Sequence, residues 1–253
     1  MNSTVIALVS LACIFGGTLL GLGMRKILPA EHLNADSRDA VKVGAGMISM
    51  MAALVLGLLV SSAKQHFDSA NDAIVLGGAK VIMLDRTLAS YGPETKELRD
   101  HLRQGIAATI ELLWPEERPQ ESLLTFEKVV LMEQVARNIR GLKPQNDNQR
   151  ALQQRAVEIC DEILLTRWVQ IEQAYTSLPV AFLVILLFWL TMLYTSFGLL
   201  APRNLTVLTV MFVGALALAT ALYLILEMNR PLGGTMKVSS APLRKALENL
   251  GRE

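Results

Sequence analysis

The stretch that decides the fold is Val43–Ala63, VGAGMISMMAALVLGLLVSSA, which is apolar and carries no charged residue. A helix needs about 20 apolar residues to cross the hydrocarbon core of a bilayer, and this stretch has that length. Outward from it lie three further charge-free stretches of sufficient length, Met1–Met24, Gln173–Pro202 and Asn204–Leu226. Because the 24 basic and 23 acidic residues of this 253-residue chain avoid all four stretches, the sequence predicts an all-α membrane protein with four transmembrane helices. The predicted spans are Thr4–Met24, Val43–Ser62, Leu178–Leu200 and Leu205–Leu226.

This pattern divides the chain into four segments. Residues 1–62 hold the first two spans, with a mixed-charge connector at Arg25–Lys42, and residues 178–226 hold the last two as a tight hairpin. Residues 63–177 form an insert outside the membrane, and residues 227–253 form a tail with a short amphipathic helix. Pro242 lies in the first turn of that helix, which either lies on the membrane surface or docks on the insert.

The insert is predicted to be helical throughout. No turn signal follows the second span until Gly92-Pro93, so one long helix is expected to run to Tyr91 and to project about 45 Å beyond the membrane. Gly77-Gly78 is its expected kink or close-packing point. Three more helices are expected: one from Pro93, one over Glu121–Arg140, and one capped by Asn146 or Asp147 that continues toward the third span. A turn at Pro115–Pro119 separates the first two of these.

The residues that carry chemistry elsewhere form no recognisable catalytic or metal pattern in this sequence. The two cysteines and three histidines are scattered, so no disulfide framework or metal site is predicted. No nucleotide-binding loop or nucleophile motif is present. The net charge of +1 gives no reason to expect a nucleic-acid partner. We therefore expect neither an enzyme nor a bound cofactor.

The second span carries small residues on one helical face. The candidate pore-lining residues are Gly46, Ser49, Ala53, Gly57 and Ser61, and the candidate pore-mouth residues beyond them are Lys64, Asp68 and Asp72. A stripe of small residues leaves room for a pore, and charges at its mouth select ions. The same stripe also suits close packing against another helix, the commoner use of such residues. In the first span, Gly17-x-x-x-Gly21 predicts a close helix–helix contact.

Two polar clusters flank the predicted membrane region. One lies where the long helix ends and the other where the last span ends. A structural tie between insert and tail is the simplest interpretation, since exposed ion pairs contribute little on their own. The candidate insert–tail contact residues are Asp85, Arg86, Glu227 and Arg230.

Three stretches of this chain resemble a bacterial bestrophin-like membrane protein family. They are MAALVLGLLVSSAKQHFD from Met51, VIMLDRTLASYGPE from Val81, and EMNRPLGGTMKVSSAPLRKAL from Glu227. The resemblance, which extends distantly to bestrophin anion channels, implies a four-span subunit that assembles as a ring around an axial pore. No acidic loop matches the bestrophin calcium clasp, so calcium gating is not expected.

Together these observations lead to two hypotheses of different classes. The first is a homo-oligomeric channel in the bacterial inner membrane, expected as a pentamer, that passes anions or other small ions along the second span. The second is a non-conducting scaffold or sensor whose insert docks a partner. Basic residues near the span ends are slightly more numerous on the insert side, which predicts a cytoplasmic insert and cytoplasmic termini.

Overall fold

A computed structural model of the chain describes residues 2–29, 34–114, 125–175 and 180–251. Within these residues the secondary structure is helical, with no strand, which confirms the predicted all-α class. A single-turn 3₁₀ helix at Pro93–Thr95 separates the second and third α-helices. The α-helices are α1 Ser3–Met24, α2 Ala35–Tyr91, α3 Lys96–Leu113, α4 Thr125–Arg140, α5 Asp147–Tyr175, α6 Val180–Leu200, α7 Leu205–Met228 and α8 Ala241–Asn249.

Four of these helices, α1, α2, α6 and α7, are long and apolar enough to cross a membrane, which confirms the four predicted spans. The clearest difference from prediction lies in the connector, because α2 already begins at Ala35 rather than after Lys42. Asn34 explains this start: its side-chain oxygen accepts a hydrogen bond from the Ser37 amide at 2.8 Å, which caps the first turn.

The long helix α2 ends at Tyr91, as Gly92-Pro93 predicts. Gly92 has a φ of 147°, a conformation that favours glycine because it has no Cβ. The Thr95 hydroxyl donates to the Leu88 and Gly92 carbonyls at 2.6 and 2.8 Å. The first of these bonds satisfies a carbonyl that the end of the helix leaves unpaired. The predicted cap of α5 is also confirmed, because the Asn146 side chain accepts from the Gln149 amide.

The chain forms two compact units, and the boundary between them falls within α2 after Phe67. The first unit comprises 1–67, 177–230 and 234–236, and the second comprises 68–176, 231–233 and 237–253. Three expectations lie outside the described residues: the turn at Pro115–Pro119, the start of an insert helix at Glu121, and the junction between α5 and α6.

In the first unit, α1 packs tightly along α6. A Cβ at Gly17 would lie 2.7 Å from the Thr191 carbonyl oxygen, and one at Gly21 would collide with the Thr195 carbonyl. This confirms the close contact predicted from Gly17-x-x-x-Gly21. Gly198 makes the same approach from α6 toward Thr18. The contact positions advance in the same order along both helices, from Gly17 with Thr191 to Gly21 with Thr195. The helices α1 and α6 therefore run in the same direction, as expected for two spans separated by one return crossing.

In the second unit, the predicted apolar stripes are buried. Buried side chains come from α2 at Val81, Leu84 and Leu88, and the other helices of the unit add more. Those are Leu98, Leu102 and Ile106 of α3, Ile139 of α4 and Ile159 of α5. Helix α8 lies against α3 with Leu243, Ala246 and Leu250 buried. The tail helix was predicted either to lie on the membrane surface or to dock on the insert. In the structure it is docked on the insert.

Candidate functional site

The membrane part of α2 has one face that packs against the rest of the first unit. Four residues of α2 are buried there: Ala45, Ala52, Leu59 and Ala63. They belong to a cluster that also includes Leu186 and Leu190 of α6, and Ala215, Leu222 and Ile225 of α7. Ile48, Val55 and Leu56 flank this face and are partly buried. The packed face is therefore small and apolar, and it lies to one side of the predicted pore-lining stripe.

The predicted pore-lining stripe itself is not packed inside the chain. Gly46, Ala53, Gly57 and Ser61 are exposed and Ser49 is half-buried. A Cβ placed on Gly46 or Gly57 would meet no atom within 4 Å. Among the described residues, no helix of the same chain uses these glycines for close packing. The small residues of this stripe therefore face either a lumen or something outside the chain.

A second exposed face of α2 carries large apolar side chains. Met47 is 66% exposed, Met51 54%, Leu54 67% and Leu58 64%. Because successive helical residues are rotated by about 100°, this face lies beside the small-residue stripe and away from the packed face. Leu58, for example, is one residue from Gly57 at nearly the same depth. The exposed surface of α2 thus has two halves. One carries large apolar side chains, and the other combines the small residues with Met50, which is 80% exposed and lies four residues from Gly46 and seven from Gly57.

The three candidate pore-mouth residues follow the stripe along α2. Lys64 is exposed and belongs to the first unit, whereas Asp68 is half-buried and Asp72 exposed in the second unit. Lys64 and Asp68 each make an interaction with another group. Asp68 and Asp72 are four residues apart and so lie on the same side of the helix.

At one end of the first unit, Glu227 ties the last span to the tail. It is 5% exposed, and its Oε2 accepts from the Thr235 amide at 2.5 Å and the Thr235 hydroxyl at 2.8 Å. The Ser3 side chain and the Met236 backbone also hydrogen-bond this carboxylate. A Cβ at Gly234 would collide with Glu227, so the glycine allows the tail to close over it. Glu227 thus contacts the tail and the N-terminus, and four donors satisfy its burial.

In the second unit, Asp85 forms a buried ion pair with α3. It is 1% exposed, and its two carboxylate oxygens accept from Nε and Nη2 of Arg99 at 2.7 and 3.0 Å. The Gly251 amide, in the tail, lies 3.3 Å from Asp85 Oδ2. This two-pronged geometry is the strong form of a charge-assisted hydrogen bond. Of the other candidate contact residues, Arg86 and Arg230 are exposed, and Arg86 has an interaction partner.

Sequence reasoning missed the residue that ties the end of α3 to the tail. Trp114 is 4% exposed, and its indole N–H donates to the Val238 carbonyl at 2.8 Å. A buried tryptophan normally needs such a partner for its polar edge. The signal available in the sequence was a tryptophan just before a proline at the end of an amphipathic helix. It indicated a buried aromatic side chain but not which segment it would contact.

Cys160 and Tyr91 of the second unit are buried, which disfavours their ionised forms. Burial raises the pKa of the Cys160 thiol to about 11, so it is protonated at neutral pH. Burial, with a smaller contribution from Glu94, also raises the pKa of the Tyr91 phenol. In the described parts of the chain, no three His, Cys, Asp or Glu side chains come together as a metal site.

Comparison with known proteins gives a family match over most of the chain. A model described as the bestrophin-like domain matches residues 12–243. No curated protein sequence matches the chain.

Several solved structures share the fold. The chain matches a crystal structure described as that of a membrane protein with a TM-score of 0.69 at 14% identity, over 96% of each chain. Two single-residue variants of a bacterial bestrophin homologue from Klebsiella pneumoniae match with TM-scores of 0.65 and 0.64. Their identities are 14% and 15%, and the alignments cover 96% and 94% of this chain and 97% of each of theirs. At these identities the likeness concerns the fold alone.

Proposed function

We propose that this chain, which belongs to the bestrophin-like family, is one subunit of a homo-oligomeric membrane channel whose axial pore is lined by α2. The observation that carries the proposal is the exposed stripe Gly46, Ser49, Ala53, Gly57 and Ser61, which has no packing partner within its own chain. A stripe that combines glycine with serine suits a wider, wetter space.

The two exposed halves of α2 suggest how the subunits are arranged. The large apolar face of Met47, Met51, Leu54 and Leu58 can be buried against a neighbouring subunit or lipid. The small stripe then faces the axis. Identical subunits repeated by rotation close into a ring, and we propose a pentamer. The mass of the detergent-solubilised complex measures the subunit number directly, and a monomer or dimer would contradict this arrangement.

The test of conduction compares two tryptophan substitutions in the stripe with a third on the large apolar face, at the same membrane depth as one of them. Purified wild-type protein in planar bilayers is expected to give discrete currents. Gly57→Trp fills the stripe and is expected to reduce the unitary current at least tenfold, and Ser49→Trp likewise. Leu58→Trp, one residue away on the large apolar face, adds bulk at the same depth outside the stripe. It is the matched control and, in complexes that keep the wild-type mass, is expected to leave the current intact. Silent wild-type bilayers, or equal loss with Leu58→Trp in an intact oligomer, would contradict the proposal.

We propose anions as the permeant ions. Lys64 is the charged residue of α2 nearest the stripe, four and eight residues closer to it than the mouth residues Asp68 and Asp72, so a ring of such lysines would raise the anion concentration where the stripe ends. In a KCl gradient the reversal potential is expected near the chloride equilibrium potential. Lys64→Gln is expected to move it toward zero, with Lys245→Gln, an exposed lysine of α8, as the matched charge control. A reversal potential near that of potassium would overturn anion selectivity while leaving conduction intact.

We also propose that the protein resides in the bacterial inner membrane with its insert and both termini in the cytoplasm. The start of α1 and the end of α7 meet through Ser3 and Glu227, while Arg25 and Arg203 lie at the opposite end of the first unit. Both termini of the membrane unit therefore share one side. A reporter fused after Glu253 is expected to be active only in its cytoplasmic form, and periplasmic activity would reverse the orientation.

A second candidate function is a non-conducting scaffold or sensor. It is favoured by exposed apolar side chains on α2 beyond the membrane span: Val75 is 48% exposed, Leu76 51% and Met83 45%. Such a surface suits a protein partner. Capture of a defined partner that is lost in Leu76→Glu but kept in Asp72→Asn, together with silent bilayers, would favour this function over the channel.

A further inference from the structure

Two adjoining clefts lie at the end of the first unit opposite Glu227. One has a volume of about 420 Å³ and is lined by Arg25, Lys26, Pro202 and Arg203. The other, of about 290 Å³, shares Pro202 and Arg203 and continues along mainly apolar side chains. Those include Thr18, Leu22, Leu205 and Leu208. The combined cavity therefore has a cationic mouth and an apolar interior.

The two arginines of the mouth are held in place by the neighbouring helix ends. Arg25 Nη1 donates to the Ala201 carbonyl at 2.5 Å, and Arg203 Nη2 donates to the Leu22 carbonyl at 2.7 Å. Each bond satisfies a carbonyl that the end of α6 or α1 leaves unpaired. A guanidinium has five N–H donors, so most remain available to a ligand. The side chains are thus positioned without being saturated.

The mouth also carries three cationic side chains, Arg25, Lys26 and Arg203. Among the described residues, no carboxylate pairs with Arg25, Lys26 or Arg203, whereas the other charged side chains near helix ends include paired ones such as Lys42 with Asp39. Lys26 is exposed at the cleft. Three positive charges around one cavity call for an anionic ligand, and planar guanidinium groups match phosphate especially well.

The interior adds an independent sign of a missing ligand. Thr18 is 1% exposed and lines the apolar cleft, yet its hydroxyl has no hydrogen-bond partner in the described part of the chain. A buried hydroxyl without a partner costs free energy, and an ester oxygen in the cleft would satisfy it. The apolar side chains beside it suit a hydrocarbon chain rather than a free ion.

We propose that this cavity binds one anionic phospholipid. Its phosphate lies between Arg25, Lys26 and Arg203, and one acyl chain follows Leu22 and Leu208. The depth is appropriate, because α1 leaves the apolar region at Met24 and Arg25 therefore lies at the level of lipid headgroups. The proposal is independent of whether the protein conducts ions.

The test uses the full-length protein in neutral detergent with added phosphatidylglycerol, phosphatidylcholine or inorganic phosphate. Phosphatidylglycerol is expected to raise the thermal unfolding midpoint and to remain bound in native mass spectra. The other two are not. Lys26→Gln removes a positive charge from the mouth without breaking an ion pair to any described side chain. Leu208→Trp fills the apolar cleft. Each is expected to weaken phosphatidylglycerol binding about tenfold. Arg230→Gln, an exposed arginine at the opposite end of the first unit, is the matched control and is expected to bind as wild type.

Three outcomes would overturn the proposal. Equal stabilisation by phosphatidylcholine would show general solvation by lipid. Full stabilisation by inorganic phosphate would show a free-anion site. Unchanged binding in both folded variants, Lys26→Gln and Leu208→Trp, would place the lipid elsewhere.

Discussion

Gly17 and Gly21 of α1 and the glycines in the membrane part of α2 occupy opposite environments, although both helices carry small residues at contact spacing. In α1, Gly17 and Gly21 face the backbone of α6 so closely that a single added carbon would collide with it. In α2, Gly44, Gly46 and Gly57 have nothing within 4 Å of an added Cβ. Gly17 and Gly21 are thus explained by packing within one chain, whereas Gly44, Gly46 and Gly57 are not.

This difference shows what a small-residue pattern can and cannot indicate. Close packing of membrane helices depends on small residues because it gains from van der Waals contact and has little hydrophobic driving force in lipid. The pattern therefore predicts an approach by something. Only the surroundings reveal whether that is a helix of the same chain, a neighbouring subunit or a pore. For α2 the first of these is excluded for the described residues.

The largest expected effect on stability comes from adding a side chain at a crowded glycine of α1. In Gly21→Ala the new Cβ meets backbone atoms of Thr195 and Leu199, which cannot rotate away. Overpacking of this kind costs about 1–3 kcal/mol, and we expect roughly 3 kcal/mol here, since two backbone segments must separate. The measurement is the free energy of unfolding in detergent.

The matched control for that prediction is Gly16→Ala, in the same helix with nothing within 4 Å. It is expected to leave stability unchanged or to raise it by up to about 1 kcal/mol, because alanine favours helix more than glycine does. Equal destabilisation by the two substitutions would mean that α1 and α6 are not in contact.

A smaller effect is expected at the adjacent pair Gly77 and Gly78, which repeats the comparison outside the membrane. A Cβ at Gly78 would lie 3.0 Å from the Pro242 carbonyl oxygen, whereas one at Gly77 meets nothing within 4 Å. The tail can move by a few tenths of an ångström, so we expect Gly78→Ala to cost about 1 kcal/mol. Faster hydrogen exchange in α8 measures this loosening. Gly77→Ala should leave that exchange rate unchanged, and similar rates in both variants would contradict docking of α8 at Gly78.

Much of the fold could be predicted because its signals are local. The four spans follow from charge-free stretches, the end of α2 from Gly92-Pro93, and the start of α5 from Asn146. The early start of α2 also had a local signal, since Asn34 stands three residues before Ser37 as a cap does. The surrounding charges led instead to the prediction of a connector.

The partners of the predicted faces could not be predicted, because they depend on packing between distant segments. Gly17 and Gly21 identified a contact face but not α6 as its partner. Trp114 bonds a residue 124 positions away, and nothing near Trp114 in the sequence specifies Val238. Asp85 was expected to contact the tail, and the Gly251 amide does donate to it, but nothing in the sequence identified Arg99 of the next helix as its closest partner. The candidate site shares this limit, because a pore requires subunits that one chain does not contain.

The smallest effect on the stability of the subunit is expected at the open glycines in the membrane part of α2. Substitutions there distinguish a stripe that lines a pore from one that packs between subunits. Gly46 and Gly44 are both exposed, and a Cβ added at either would meet no atom within 4 Å. Because they are two residues apart in a helix, they face nearly opposite directions. Gly46→Leu and Gly44→Leu should therefore change the stability of the subunit by less than about 1 kcal/mol. If the stripe lines a pore, Gly46→Leu lowers the unitary current while the oligomer keeps its mass. If the stripe instead packs between subunits, Gly46→Leu dissociates the oligomer, because four added carbons separate helices that a glycine allows to touch. Gly44→Leu, with both current and mass unchanged, shows that the effect belongs to the stripe rather than to the added bulk.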